Sequence, residues 1–220
     1  MTGWLPLLER HTTAFGELLA GAELEAPVLG CPGWDLRALA QHLGWIHQWA
    51  TQAVVTGAPP GDPADGPDER SALCRWYAAS ATALVEALRE AGPDGAAWTF
   101  GPPKGRAAFW QRRQVHETRL HLWDARTSQG TPDEVEPQLA WDGVLEVAEV
   151  FYPRQLRMGR LAPLRGTLVL QATDVGGELG LGEGERTVVR APASDLLLMV
   201  WHRLPPPADA GSLLGAALTP

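Results

Sequence analysis

Apolar positions recur every three or four residues over the first two-thirds of the chain. That spacing gives a helix one buried stripe. Residues 4–21, WLPLLERHTTAFGELLAG, carry it and stop at a glycine. A second helix follows the turn Cys-Pro-Gly-Trp, with Asp35 as its N-cap or first-turn acid, and runs to about Val55. Its stripe is Leu36, Leu39, Leu43, Ala50 and Val54, with His47 near the centre. His42 lies on the flank with Ile46 and Trp49. TGAPPGDPADGP, 56–67, has no period and reads as a loop. A third helix spans 68–91 and ends at Gly92-Pro93. An irregular stretch, 92–105, leads to a fourth helix over about 106–128, and a fifth covers about 136–157. Long helices joined by loops predict a bundle.

Near Pro163 the period shortens to two. RGTLVLQATD sets Leu168, Leu170 and Ala172 against Thr167, Val169 and Gln171, as a strand does. Gly176-Gly177 marks a turn, and ELGLG and RTVVR read as two further short strands. ASDLLLMVWHRL predicts a buried helix capped by Ser194 and stopped by Pro205-Pro206-Pro207. The fold expected is mostly α: a four-helix bundle over 1–160, then a small α+β domain over 161–220.

Composition narrows the function. The chain has 220 residues, 45% of them apolar, enough for a real core. Its 18 Lys+Arg against 26 Asp+Glu give a net charge of -8, which argues against nucleic acid or an anionic membrane as the main partner. The N-terminus lacks a basic start and carries Glu9 and Glu17, unlike a secretory signal. No apolar run approaches the roughly 20 residues that span a bilayer. A soluble, cytoplasmic protein is expected, monomer or homodimer. Cys31 and Cys74 are the only cysteines, neither in a C-x-x-C pair, so no disulfide framework is expected. The chain has no Asn, one Lys (Lys104) and one Ile (Ile46), which points to a GC-rich gene.

The chemistry concentrates in QVHETRLHLWDA, 114–125. His116 and His121 are five apart, about 140° around a helix, so they do not form the i, i+4 pair of an H-E-x-x-H site. Glu117 and His121 are four apart, about 40° around, and share a face that Asp124 continues. One carboxylate and one imidazole make half a metal site, with Asp124 placed to orient the histidine. The competing reading is a wet helix face with an ordinary Glu–His pair. A third ligand must come from another helix. His42 and His47 are the candidates, and periodicity favours His47 as the inward one.

CPGWDLRALAQHL followed by HETRLHLWDA resembles the mycothiol-dependent maleylpyruvate isomerase family, part of the DinB-like metalloenzyme superfamily. The stretches LQATDVGGELGLG and ASDLLLMVWHRL are similar to the family's small C-terminal domain. The resemblance implies a metal site of His42, Glu117 and His121, which places the helix-two ligand on His42. It implies a substrate- or thiol-binding role for Arg203. The family often has Gly where this chain has His202, and the tail, ending GSLLGAALTP, is short. Two imidazoles and a carboxylate suit Zn²⁺, with Ni²⁺ or Fe²⁺ as alternatives, and leave coordination positions open. Mycothiol is the thiol cosubstrate implied. The function implied is addition of that thiol to a small electrophilic substrate, as a cis–trans isomerase of maleylpyruvate type or an S-transferase. Two other functions fit the same bundle: a non-catalytic metal or small-molecule binder, and a thiol-independent biosynthetic metalloenzyme.

Other residues read more plainly. Cys31 is a candidate ligand or nucleophile, but its place in the turn before the second helix favours a small packing residue. VGGELGLGEGE carries Glu178, Glu183 and Glu185, which would repel phosphate. Arg112, Arg113 and Arg119 are expected on a solvated face, with binding of an acidic substrate by one of them as the alternative. Trp45, Trp49 and Trp123 are placed to line a pocket near the motif.

Overall fold

Four helices build the first compact unit, Met1–Asp133, in a computed structural model that describes residues 3–101 and 105–220. They are α1 (Trp4–Gly21), α2 (Leu36–Thr56), α3 (Arg70–Ala91) and α4 (Ala107–Ser128). Each lies within two residues of its predicted span. The expected irregular stretch 92–105 falls partly outside the described residues. Asp35 caps α2 as expected, its carboxylate accepting from the Ala38 N–H at 2.8 Å. Glu69 caps α3 by accepting from the N–H groups of Ser71 and Ala72.

The helices pack as a ring. α1 meets α3 and α4, and α2 meets the same two. Phe15, Leu19, Leu36, Leu39, Leu43, Leu73, Tyr77 and Leu122 share one core. Each fully buried leucine there contributes roughly 2 kcal/mol of transfer free energy. Gly44 allows α2 and α3 to close up, since a Cβ at that position would stand 2.2 Å from the Trp76 ring. α4 is the interior helix. Of its 22 residues, 14 are buried, and they go all the way around it. The polar side chains of α4 therefore have to find partners inside the protein.

The second unit is Glu134–Pro220. The sequence set the division near 160, but the helical run over 137–157 groups with the C-terminal elements. α5 (Pro137–Glu146) packs against α7 (Ala193–Val200), and this contact is what assigns it. A π-helical turn, Val147–Phe151, joins α5 to α6 (Tyr152–Arg157). It lies just ahead of Pro153, which has no N–H to donate back along the helix.

β1 (Arg165–Ala172) pairs with β2 (Glu178–Ala191) in a two-stranded sheet. ELGLG and RTVVR thus belong to one strand, but its halves pair differently. Leu168 lies opposite Leu181, and Leu170 opposite Leu179, in descending register. Leu168 also lies opposite Thr187, and Leu170 opposite Val189, in ascending, parallel register. β2 reverses between the halves, where Gly182 and Gly184 take positive φ. Leu168, Leu170 and Ala172 are buried as the alternation predicts, and Val169 is buried as well.

Ser194 does not cap α7. It lies inside the helix, and its hydroxyl accepts from the Val135 N–H at 3.0 Å. Asp174 caps instead, accepting from the Ala193 N–H at 3.0 Å. The helix also stops before the prolines. His202 takes φ 60°, a left-handed conformation that ends α7 at Val200. A 3₁₀ turn, Ala208–Ala210, and α8 (Gly211–Leu214) complete the unit. Among the described residues no helix is long and apolar enough to cross a membrane.

Candidate metal centre

Glu117 is the hub of the polar cluster on α4. Its Oε1 lies 3.3 Å from His121 Nε2, one turn further along the helix. The same oxygen lies 3.3 Å from His42 Nε2, which α2 brings in from 75 residues away in sequence. The two imidazoles stand nearly perpendicular, with ring centroids 5.2 Å apart and an interplanar angle of 83°. One ligand atom from each of His42, Glu117 and His121 lies within 4.8 Å of the other two.

The spacing fits a cation. Ligands about 2.0–2.1 Å from a tetrahedral zinc are about 3.3 Å apart, whereas a direct ionic N–H···O bond closes to about 2.7–2.9 Å. Proton placement points the same way. His121 Nδ1 lies 3.0 Å from Asp124 Oδ2 and donates to it. In a neutral ring Nε2 then turns a lone pair toward the Glu117 oxygen. Only a cation or a second proton makes that contact attractive. Burial opposes charge on His121, but its bonds to Asp124, Cys31 and Glu117 outweigh burial and hold its pKa well above the ordinary value. Burial likewise pushes the Glu117 carboxyl up, yet the Arg113 charge and the two imidazole bonds hold it well below the carboxylate range.

A second layer fixes these groups. Arg113, one turn before Glu117, pairs with Glu117 Oε2 at 2.5 Å and is itself only 4% exposed. Asp124 sets the His121 ring, and the Trp34 ring packs on His42 at 4.8 Å. Along α2 the face of His42 continues into Trp45 and Trp49, which stack at 6.3 Å. Trp49 then meets Trp98, Phe100 and Trp110.

The structure thus brings His42, Glu117 and His121 together, with Asp124 behind His121. His116 turns away and packs edge-on against Trp4 at 5.6 Å. His47, the inward histidine by periodicity, is fully buried and pairs with the Thr118 hydroxyl at 3.2 Å. Burial pushes its pKa down to about 3, so it stays neutral. The expectation of a solvated arginine face is corrected: Arg113 and Arg119 are both buried. Arg119 pairs with Asp133 at 2.9 Å, and Arg126 pairs with the same carboxylate. Sequence reasoning missed Arg113 as a partner of Glu117, although their i, i+4 spacing is its signal. Arg203 lies in the second unit, donates to the Trp201 carbonyl at 2.7 Å and sits over the Trp201 ring at 5.9 Å. At the residue before it, the left-handed φ of His202 is the conformation glycine adopts most easily. The His202 ring bonds to the Leu214 carbonyl at 3.0 Å.

Fold and site together define a helical bundle whose interior helix carries two residues of a candidate metal site. The family model for the mycothiol maleylpyruvate isomerase N-terminal domain matches residues 5–126, and the chain belongs to that family. Two solved structures share the fold. One is a histidine-to-alanine mutant of the mycothiol-dependent maleylpyruvate isomerase, with a TM-score of 0.68 and 14% identity. The other is the mycothiol-dependent maleylpyruvate isomerase, with a TM-score of 0.65 and 15% identity. Each comparison covers 90% of this chain and 91% of the other. Comparison with the curated proteins gives no match.

Proposed function

We propose that this protein is a metal-dependent, thiol-using enzyme acting on a small electrophilic substrate, as a cis–trans isomerase or an S-transferase. The observation that carries the reading is the 3.3 Å approach of two imidazole nitrogens to one carboxylate oxygen, with a carboxylate behind one ring. Family membership supports it. The cation is a divalent one, Zn²⁺ first by its preference for this donor set, with Ni²⁺ and Fe²⁺ as alternatives. Its contribution when bound is to lower the pKa of a thiol so that the thiol reacts as thiolate.

The chain's own residues do the rest. His42 and His121 would offer their Nε2 lone pairs to the cation, and Glu117 would supply negative charge. Arg113 keeps that carboxylate ionised, and Asp124 keeps the His121 proton on Nδ1. The thiol proposed is mycothiol, and Arg203 is proposed to bind the anionic part of substrate or thiol. A thiolate that adds to an electrophilic carbon, pushing the π electrons onto the activating group, and is expelled after bond rotation gives isomerisation, whereas protonation of the adduct keeps the C–S bond and gives S-transfer. The setting proposed is cytoplasmic, with a low-molecular-weight thiol and a small-molecule substrate as partners.

Elemental analysis of the purified protein tests the metal, and thermal shift tests the thiol. We expect about one divalent ion per chain, lost in His42→Ala. Mycothiol at about a hundredfold over its Kd raises the Tm of the loaded protein by roughly 5 °C or more. Metal-free protein, or a His42→Ala variant with unchanged metal content, sinks the site. Metal without a thiol shift sinks the thiol-using activity and leaves a binder or a thiol-independent enzyme.

A further inference from the structure

The turn before α2 does more than start a helix. Cys31-Pro32-Gly33-Trp34 closes with the Trp34 N–H donating to the Cys31 carbonyl at 3.0 Å, and Gly33 takes φ 85°. Proline second and a left-handed glycine third are what a type II turn requires. The turn is tied down at both ends. The Cys31 N–H donates to the Val28 carbonyl at 3.0 Å, and the Val28 N–H donates to the Trp34 carbonyl at 2.9 Å. A four-residue turn fixed in this way presents its first and last side chains in set positions.

Both side chains reach the metal centre. Trp34 covers the His42 ring at 4.8 Å. The Cys31 thiol lies 3.8 Å from Asp124 Oδ2, the same oxygen that accepts from His121 Nδ1. The Cys31 sulfur, an Asp124 oxygen and a His121 ring nitrogen all lie within 4.8 Å of one another. The thiol thus stands on the Nδ1 side of the ring, while Nε2 faces Glu117. Cys31 also packs against the apolar core of the bundle, as expected of a small residue, so its thiol is held in place from both sides.

We infer that Cys31 is a positioning residue for the metal centre: its S–H donates to Asp124, and Asp124 in turn holds the His121 ring with Nε2 aimed at the cation. The role rests on the metal reading proposed above. A ligand histidine gains basicity and a fixed tautomer from its carboxylate partner, and a group that orients the carboxylate shares in that effect. The weak thiol donor places this residue one step further out than Asp124.

Competition with a chromophoric chelator measures Zn²⁺ affinity for the full chain and its variants. Cys31→Ala is expected to bind Zn²⁺ about tenfold more weakly. Cys31→Ser keeps a donor and is expected within about threefold of the parent. Cys74→Ala leaves affinity unchanged. In an Asp124→Ala background, which removes the acceptor, Cys31→Ala has a smaller effect than in the parent. Co²⁺-loaded protein is expected to show no thiolate-to-metal charge-transfer band. Three results overturn the inference: parental affinity in Cys31→Ala, a Cys31→Ser variant as weak as Cys31→Ala, or a charge-transfer band that Cys31→Ser removes. The last makes the sulfur a direct ligand. Unchanged affinity in His42→Ala defeats the metal reading itself. Weakened His42→Ala beside an unaffected Cys31→Ala defeats only the positioning role.

Discussion

His42 and His47 sit five residues apart on α2 and face the same partner helix, yet they meet different company. His42 is part-exposed and reaches a carboxylate, Glu117, at 3.3 Å. His47 is fully buried and reaches a neutral hydroxyl, Thr118, at 3.2 Å. The adjacent residues Glu117 and Thr118 on α4 supply the two partners. Burial outweighs the pull of the more distant Glu117 charge and makes His47 a neutral core residue with its pKa near 3. The buried histidine beside the anions, His121, is driven the opposite way. A histidine becomes a candidate ligand here through the carboxylate it faces, and depth alone makes it a packing group.

Removing the anion should erase the contrast, with the largest effect. Glu117→Gln is expected to weaken Zn²⁺ binding by more than about a hundredfold, read by chelator competition. It also breaks the buried ion pair with Arg113, at an expected cost of about 3–5 kcal/mol in denaturant unfolding. Pairing Glu117→Met with Arg113→Met should recover most of that stability and none of the metal. A double variant as unstable as Glu117→Gln would mean that the ion pair is not the source of the loss.

Acid should separate the two levels next. The His47 pKa is about 3 in the folded chain against 6.5 when unfolded, so below pH 6.5 the unfolded state binds the extra proton. This group is neutral to stability above pH 6.5 and destabilises progressively as pH falls toward 3. By pH 5 the expected loss is about 2 kcal/mol. Urea melts at pH 7 and pH 5 should show this limb in the parent and a flatter one in His47→Gln. Zn²⁺ affinity in His47→Gln should stay at the parental value. A steep limb that survives the substitution would place the acid sensitivity elsewhere.

Between the two histidines, Gly44→Ala drives a Cβ to 2.2 Å from the Trp76 ring. Overpacking of this kind costs about 1–3 kcal/mol. It should lower the Tm and, by shifting α2 against α4, weaken metal binding as well. Retained affinity would show that the His42–Glu117 spacing tolerates movement of α2. The smallest effect is expected at an exposed cap outside the comparison. Backbone and side-chain hydrogen bonds from Ser71, joined by the Ala72 N–H, lower the Glu69 pKa to about 2. Its contribution is present above the unfolded value of 4.5 and is lost as pH falls toward 2. Glu69→Ala should lower the Tm by about 1–2 °C at pH 7 and leave metal affinity alone.

Legibility in the sequence followed the range of the physics. The spans of α1 to α4, the Asp35 cap and the shared face of Glu117, His121 and Asp124 are local, and spacing alone places them. The stripe on α2 correctly located His47 in the core, but a stripe reports burial and so passed over the flanking His42. Only the family resemblance pointed there. Arg113 and Arg119 were misplaced because charge usually marks a solvated face, whereas α4 is enclosed by its neighbours and pairs its charges inside. Ser194 looked like a cap on local grounds. The cap came instead from Asp174, brought alongside by the fold.

The sequence by itself determined the helices, the Cys-Pro-Gly-Trp turn, the strand period after Pro163 and the one-turn spacing of Glu117 and His121. These follow from backbone sterics and the 3.6 and 2.0 residue periods, which act over a few residues. The tertiary structure alone decided that His42 meets the same Glu117 oxygen as His121, that Arg113 is buried against that carboxylate, and that Cys31 reaches Asp124 across 93 residues. Those contacts depend on how closely α2 and α4 approach and at what rotation, and side-chain packing across the whole bundle sets both.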